Sequence, residues 1–116
     1  MGPHKRFLAW QECHKVVLAV YRATASFPKH ELYGLTSQAR RAAFSAAANI
    51  TEGASRKGKN ELRRFLDISL GSLSELEYTL ELAAALEYIT PQDFAALDDL
   101  QKRARFFTWK LQKSLR

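Results

Sequence analysis

The sequence predicts an all-α protein, an up-down-up-down antiparallel four-helix bundle. Four segments repeat apolar residues at alternating spacings of three and four, which is typical of helices that pack in a bundle. Three short turns, each carrying Gly or Pro, separate these segments, and no segment alternates like a strand. Short connections make consecutive helices antiparallel neighbours, and 116 residues suit one domain. We therefore expect a single bundle over residues 7–116, after a disordered or tag-like segment over residues 1–6.

The first helix is predicted from about Phe7 to Ser26, because its apolar seam repeats at spacings of 3-4-3-4-3. Pro28 then prevents the helix from continuing. The turn that follows, residues 27–34, carries apolar side chains that we expect to close one end of the core. The seam residues are Trp10, Cys13, Val17, Val20, Thr24 and Phe27, and those of the turn are Phe27, Leu32 and Tyr33.

The second helix is predicted from Leu35 to Gly53, with Gly53 as its C-terminal glycine, and its many alanines allow close helix neighbours. One face is nevertheless polar, because five residues follow one another at spacings of three or four. Since buried polar groups need partners, we expect Arg41 (or Arg40) to pair with Glu75 and the end of this face to brace the next turn. Alternatively, part of this face contacts another subunit. The polar stripe comprises Gln38, Arg41, Ser45, Asn49 and Glu52, with Glu75 opposite.

The third helix is predicted from about Asn60 to Glu87, on a 4-3-4-3 repeat that is mostly leucine. Gly71 lies in its middle, where glycine costs about 1 kcal/mol relative to alanine, so we interpret it as a point of close helix packing. The fourth helix opens with Thr90, a good N-cap residue, and Pro91 at the first helical position. Its seam continues through Leu97, Leu100, Ala104, Phe107 and Leu111.

Charge is strongly segregated along the chain. Residues 1–64 carry a net charge of +8, residues 65–101 carry −8, and residues 102–116 carry six basic residues and no acid. An antiparallel bundle gathers the starts of the first and third helices with the end of the fourth, so we expect one basic end and one acidic end. Basic residues near exposed aromatic rings suit a polyanion; the alternative is a solvated surface whose charges complement helix dipoles. The aromatic residues are Phe106, Phe107 and Trp109. The predicted nucleic-acid-binding residues are Arg56, Lys57, Lys59, Arg63, Arg64, Lys102, Arg103, Arg105, Lys110 and Lys113. The basic end also includes Lys5, Arg6 and Arg116.

No catalytic residue, metal site or cofactor is predicted. Gly53, Gly58 and Lys59 approach the phosphate-binding pattern G-x-x-x-x-G-K, but Asn60 replaces the Ser or Thr that binds magnesium, and the pattern follows a helix. Backbone amides at the start of the third helix remain candidates for holding one phosphate. No histidine lies three residues after a glutamate, as a di-metal bundle requires. The single cysteine, Cys13, and the absence of a long apolar run predict a soluble cytoplasmic protein.

Several motifs together resemble one bacterial family. They are FP-x-x-E-x-YGL (Phe27–Leu35), Gln38, Arg40–Ala42, Ser45, Asn49–Ile50, Glu52–Gly53, GSL-x-ELE (Gly71–Glu77) and Tyr88–Ile89. On these residues, nearly the whole chain from Phe7 resembles the four helix bundle proteins encoded in intervening sequences of large-subunit ribosomal RNA genes. A related branch is the accessory protein of diversity-generating retroelements. The family often has a Ser where Gly58 stands, capping the third helix with Glu61 as its partner.

The resemblance implies a four-helix bundle that assembles as a ring-like homopentamer and has no known enzyme activity. For the retroelement branch it also implies RNA or DNA binding beside a reverse transcriptase. Together with the charge pattern, it predicts a non-catalytic oligomeric bundle that binds structured RNA or DNA through its basic end. The alternative is a protein–protein adaptor or structural oligomer without nucleic-acid binding, whose charged ends pair subunits with each other or with an acidic partner.

Overall fold

A computed structural model, which describes residues 2–115, confirms the all-α prediction. No strand occurs in this range, and the helices make up nearly all of it. Arg116, predicted to extend the basic end, and Met1, predicted to belong to the tag-like segment, lie outside the described residues. The helices are α1 (Leu8–Thr24), α2 (Leu35–Ser55), α3 (Lys59–Ala85) and α4 (Pro91–Ser114), with short 3-10 helices at Pro3–Arg6 and Lys29–Glu31. The division of the chain at residue 7 stays a prediction.

The four helices form an antiparallel bundle measuring 43 × 23 × 23 Å. Helix α1 packs against α2 and α4, and α3 packs against the same two helices, so the helices stand at the corners of a square. Near one end, the Gln112 side chain of α4 donates a hydrogen bond to the Arg63 carbonyl of α3, with an N–O distance of 3.3 Å. The start of α3 therefore lies beside the end of α4, as the predicted topology requires.

The alanines of α2 allow α3 to approach closely, and small polar groups join the two helices. The Ser69 hydroxyl donates to the Ala46 carbonyl at 2.8 Å, and the Ser45 and Ser72 hydroxyls are also 2.8 Å apart. These bonds set the register of α2 against α3, and that register places Arg41 level with Glu75, as predicted. Around them the core is closed by fully buried aliphatic side chains, which include Val16, Val20, Ile50, Leu66, Leu73, Leu76 and Leu80.

Two glycines have roles opposite to those predicted. Helix α2 does not end at Gly53 but continues to Ser55. A Cβ atom at Gly53 would lie 2.8 Å from the Phe65 Cβ and 3.0 Å from the Leu62 Cδ1, whereas a Cβ at Gly71 would meet nothing within 4 Å. The prediction of close packing at Gly71 is therefore wrong within this chain. Gly53 is the close contact, because α2 and α3 converge towards the short turn that joins them.

The turn between α1 and α2 closes the core only in part. Phe27 is buried there, as predicted, but Leu32 is half exposed and Tyr33 is 93% exposed, so the prediction of core positions for these two residues is wrong. The carboxylate of Glu31 stabilises this turn through two hydrogen bonds. It accepts a hydrogen bond from the Leu35 amide at 3.1 Å and another from the Tyr88 hydroxyl at 2.9 Å. These two bonds fix the turn without Leu32 or Tyr33, whose side chains are therefore left on the surface.

The helix starts follow the expected capping chemistry in one case and not in the other. At α4 the Thr90 hydroxyl accepts a hydrogen bond from the Asp93 amide at 3.1 Å, which confirms the predicted cap. At α3 the N-cap residue Gly58 has a φ of 86°, a conformation that favours glycine. Glu61 pairs with Arg64 there. A serine at position 58, which the family often has, would be strained in this backbone.

Candidate nucleic-acid interface

The polar stripe is divided between the α2/α3 contact and the surface. Ser45 and Asn49 are half-buried, and the Asn49 amide donates to the carbonyl and hydroxyl oxygens of Ser45 at 2.8 and 3.0 Å. With the Ser45–Ser72 bond, these contacts make the middle of the stripe structural. Glu52 is exposed and pairs with Arg56 at 3.1 Å, at the end of α2.

The predicted ion pair between Arg41 and Glu75 does not form within residues 2–115. Arg41, Glu75 and Gln38 are all exposed, since their side chains leave the contact on its outer side. The neighbouring Arg40 turns towards α1 instead. Its Nε donates to the Thr24 hydroxyl at 2.8 Å, and its guanidinium lies 4.7 Å from the centre of a tyrosine ring, that of Tyr21.

At the basic end, α3 and α4 border a polar groove with a volume of about 370 Å³. Gln112 of α4 links the two helices in this groove, because its amide donates to both the Arg63 carbonyl and the Asp67 carboxylate of α3. Three basic side chains line the groove, two from the start of α3 and one from the end of α4. We call this surface the basic groove; it comprises Asn60, Arg63, Arg64, Asp67, Gln112 and Lys113.

The two arginines near the start of α3 differ in whether a carboxylate pairs with them. The Arg64 guanidinium donates to Glu61 at 3.0 Å and lies 4.5 Å from the centre of the Phe65 ring. The hydrogen bond from Arg64 holds the pKa of the Glu61 carboxyl below its usual value, so this pair is charged at neutral pH. Arg63 is exposed and has no ion pair within residues 2–115. Arg63 and Lys113 are therefore the groove cations that have no carboxylate partner within residues 2–115.

The other predicted basic residues of the α2–α3 turn are exposed at the same end. Arg56 shares its charge with Glu52 and lies 5.5 Å from the centre of the Phe65 ring, opposite Arg64. Lys57 and Lys59 are both exposed, on the two sides of Gly58. The turn thus surrounds the start of α3 with cations, at the helix end whose dipole favours anions.

Three of the predicted residues lie apart from this end. Lys102, Arg103 and Arg105 precede the last residue of α4 by roughly 14–18 Å along the helix axis. Each is paired with a carboxylate: Lys102 with Asp98 at 2.8 Å, Arg103 with Glu12 at 3.0 Å, and Arg105 with Glu77 at 3.5 Å. Arg103 therefore links α4 to α1, and Arg105 links α4 to α3. Lys102 links two successive turns of α4 itself.

Two of the aromatic residues of α4 are on the surface, and one is not. Phe106 and Trp109 are 51% and 47% exposed, whereas Phe107 packs partly against the core. The ammonium groups of Lys110 and Lys113 lie 6.0 Å from the Phe106 ring centre and 5.6 Å from the Trp109 ring centre, respectively. We call this surface the aromatic patch; it is lined by Leu70, Lys102, Arg105, Phe106 and Trp109.

Sequence reasoning missed the neutral and acidic residues of the groove, Asn60, Asp67 and Gln112, and the aliphatic residue of the patch, Leu70. None of them carries a signal of its own, because each belongs to the surface only through the packing of α3 against α4. The pairing of Glu12 with Arg103 was missed for the same reason.

The possible metal ligands of residues 2–115 are dispersed, and their one thiol is buried. No group of three or more His, Cys, Asp or Glu residues among residues 2–115 is placed to hold a metal ion. Cys13 is buried with its sulfur 3.7 Å from the Thr108 hydroxyl, and burial raises the pKa of its thiol to about 11. Gly53 lies inside α2, which rules out a phosphate-binding loop at that position. None of the described helices is long and apolar enough to span a membrane.

The fold and this surface define a helical-bundle protein with a basic groove and an aromatic patch on α3 and α4. The family model of the 23S rRNA-intervening sequence proteins matches residues 5–106. The chain belongs to this family, which confirms the resemblance drawn from its motifs.

A solved structure supports the fold. A protein of unknown function from the S23 ribosomal protein family of Bacteroides thetaiotaomicron superposes with a TM-score of 0.81. The match covers 91% of this chain and 99% of that chain at 20% sequence identity. No curated protein matches the chain significantly. At this identity the likeness concerns the bundle and carries no functional conclusion.

Proposed function

We propose that this chain is a non-catalytic, oligomeric bundle protein that binds structured RNA or DNA through the basic groove. The observation that carries the proposal is the convergence of Arg63, Arg64 and Lys113 on one groove at the start of α3. Cations that neutralise phosphates release counterions, which favours binding of a polyanion.

The position of Arg63 adds to this argument. Arg63 and Arg64 lie in the second turn of α3, which begins at Lys59, so the positive end of the helix dipole repels them only weakly. Arg64 is compensated by Glu61, but Arg63 has no ion pair within the described part of the chain. A phosphate bound in the groove would give Arg63 an anionic partner and would lie near the positive end of the dipole, beside Asn60. Asp67 opposes it in part, although its carboxylate is already bonded to Gln112.

The first test measures RNA affinity and its dependence on salt. We expect Arg63→Glu combined with Arg64→Glu to weaken binding of a labelled structured RNA at least about tenfold and to reduce the salt slope by roughly two. Fluorescence anisotropy between about 50 and 200 mM salt measures both quantities. The control is Arg22→Glu combined with Lys29→Glu, which changes the net charge equally at the other end. Absent or salt-insensitive binding by the unmodified protein would contradict the proposal.

Oligomerisation is the second part of the proposal. Helices α2 and α3 leave three large apolar side chains on their surfaces: Phe44 is 61% exposed, Ile68 41% and Tyr78 66%. A second copy of the chain covering these residues would bury them. A pentamer, an associated reverse transcriptase and a cytoplasmic location are expectations of the resemblance and the sequence that we retain with this proposal.

A protein–protein adaptor is the alternative, and one observation favours it. Leu32 and Tyr33 are exposed on the turn at the acidic end, next to Glu31, whose carboxylate accepts a hydrogen bond from the Tyr88 hydroxyl. Exposed apolar groups surrounded by charge are typical of protein-binding surfaces. On this alternative the unmodified protein binds no nucleic acid at any salt concentration in the anisotropy test.

A further inference from the structure

We propose that the aromatic patch receives unpaired nucleotides of the RNA bound in the basic groove, whose bases stack on Trp109 and Phe106. This inference rests on the proposed function and names the part of the ligand that the same face of the bundle would recognise. The two surfaces are continuous, because Lys113 lines the groove and also lies 5.6 Å from the centre of the Trp109 ring.

The exposure of the patch is not required by the packing of the bundle. The two rings lie three residues apart on the outer face of α4, with centroids 6.4 Å apart and planes inclined by 34°. Phe107 and the buried Phe65 of α3 show the structural alternative: Phe107 packs against the core, and Phe65 is buried with an arginine, Arg64, over its ring. Trp109 and Phe106 instead leave about half of their surface in water.

The charges around the rings favour a nucleotide strand over a purely apolar partner. Lys110 and Lys113 follow the two rings along the helix, within 6.0 Å of the ring centres. Two cations that line the patch are paired with carboxylates, Arg105 with Glu77 and Lys102 with Asp98, and the hydrogen bond from Lys102 lowers the pKa of the Asp98 carboxyl. The patch therefore combines flat rings with cations that lie over them, and a stacked base would exchange the cation–π contact of each lysine for a contact between that lysine and a phosphate.

Unpaired nucleotides fit this surface better than a duplex does. In a duplex the base faces are already stacked on each other, so a protein ring on a helix surface reaches only the backbone and the groove edges. Loops and bulges expose base faces, and stacking on an aromatic side chain stabilises each one considerably. The basic groove would then hold phosphates of the stem or loop while the patch holds the bases.

The test compares two RNAs with the same number of phosphates, one a hairpin with a loop of ten uridines and the other a full duplex. We expect the unmodified protein to bind the hairpin about tenfold more tightly than the duplex. Trp109→Ala should remove this preference while leaving duplex affinity unchanged, and Trp109→Phe, which keeps a ring, should retain most of it. Circular dichroism and thermal unfolding of the variants check that the bundle is intact.

Tryptophan fluorescence gives a second readout of the same contact. The chain has two tryptophans, and Trp10 stacks on His14 of α1 with ring centroids 4.9 Å apart. The Trp10→Phe variant leaves Trp109 as the single reporter. Its emission should be quenched by the hairpin and not by the duplex at equal occupancy.

Three results distinguish the proposals from one another. Equal affinity for both RNAs, with no effect of Trp109→Ala, overturns this inference and leaves nucleic-acid binding by the basic groove standing. If the unmodified protein binds neither RNA, the proposed function is overturned, and this inference with it. A fall in subunit mass of Trp109→Ala, measured by light scattering, would show that the patch is an interface between copies and would also overturn the inference.

Discussion

Glu12 is a buried carboxylate held by two cations from two helices. Its side chain is 4% exposed; Oε1 accepts from Lys15 at 3.2 Å and from Arg103 at 3.0 Å. Burial alone would raise the pKa of this carboxyl, but the hydrogen bonds from Arg103 and Lys15 outweigh burial and lower it. The residue thus ties α1 to α4, and it explains why Arg103, predicted to meet nucleic acid, is engaged within the bundle.

The lowered pKa of Glu12 predicts a pH dependence of stability. The folded state favours the ionised carboxylate, so its contribution is present above the usual pKa near 4.5 and is lost as pH falls through the lower folded value. We expect Glu12→Gln to lower the free energy of unfolding by about 1–3 kcal/mol at pH 7 and by much less at pH 3. Urea unfolding at several pH values measures this difference.

The control for this prediction is Glu75→Gln. Glu75 is exposed and has no ion pair within residues 2–115, so its replacement should leave the pH profile of stability unchanged. A Glu12→Gln variant whose stability falls with acid as steeply as that of the unmodified protein would show that Glu12 is not the group that titrates.

Between elements, the contact of α2 with α3 depends on small residues at defined levels. Ser45, Ser69 and Ser72 form the polar bonds between these helices, and Gly53 forms the closest backbone approach near their turn. A larger side chain at any of these levels would separate the helices, since cores tolerate added volume poorly.

Two alanine substitutions test this contact with opposite signs. Gly53→Ala should destabilise the protein by about 1–2 kcal/mol, because its Cβ would lie 2.8 Å from the Phe65 Cβ, which cannot move without shifting α3. Gly71→Ala, in open space in the middle of α3, should stabilise it by up to about 1 kcal/mol. Thermal and urea unfolding compare the two. If Gly71→Ala were destabilising, a contact outside the single chain would have to occupy that space.

At the scale of the whole molecule, the exposed apolar residues of α2 and α3 are the surface through which we propose that copies of the chain associate. Phe44→Asp places a charge on the α2 surface that we propose a second copy covers, so it should reduce the solution mass towards the 13.2 kDa of one chain. Multi-angle light scattering measures this mass. Tyr33→Asp is the control, since Tyr33 is 93% exposed at the acidic end, away from that surface, and should leave the mass unchanged. An unmodified protein that is already monomeric would contradict the oligomeric part of the proposal.

Sequence periodicity was sufficient for the helices, their order and the topology, because seam spacing and short turns are local properties that bundle packing only reinforces. The cap at Thr90 and the gathering of cations at one end followed from the same local information. The family also followed from motifs, and its model confirms it over residues 5–106.

The tertiary structure alone decided which side chain meets which. Arg41 and Glu75 are level with each other as predicted, yet no ion pair joins them, because their rotation about the helix axes exposes both. Gly53, and not Gly71, became the close contact, since convergence of two helices depends on three-dimensional packing. The basic groove and the aromatic patch likewise exist only because α3 packs on α4, which brings Arg63 beside Lys113 and leaves Trp109 and Phe106 on the surface. The sequence by itself determined the helices and where charge lies along them. The packing of α3 on α4 determined which side chains share the basic groove and the aromatic patch, because those surfaces join residues that are distant in the chain.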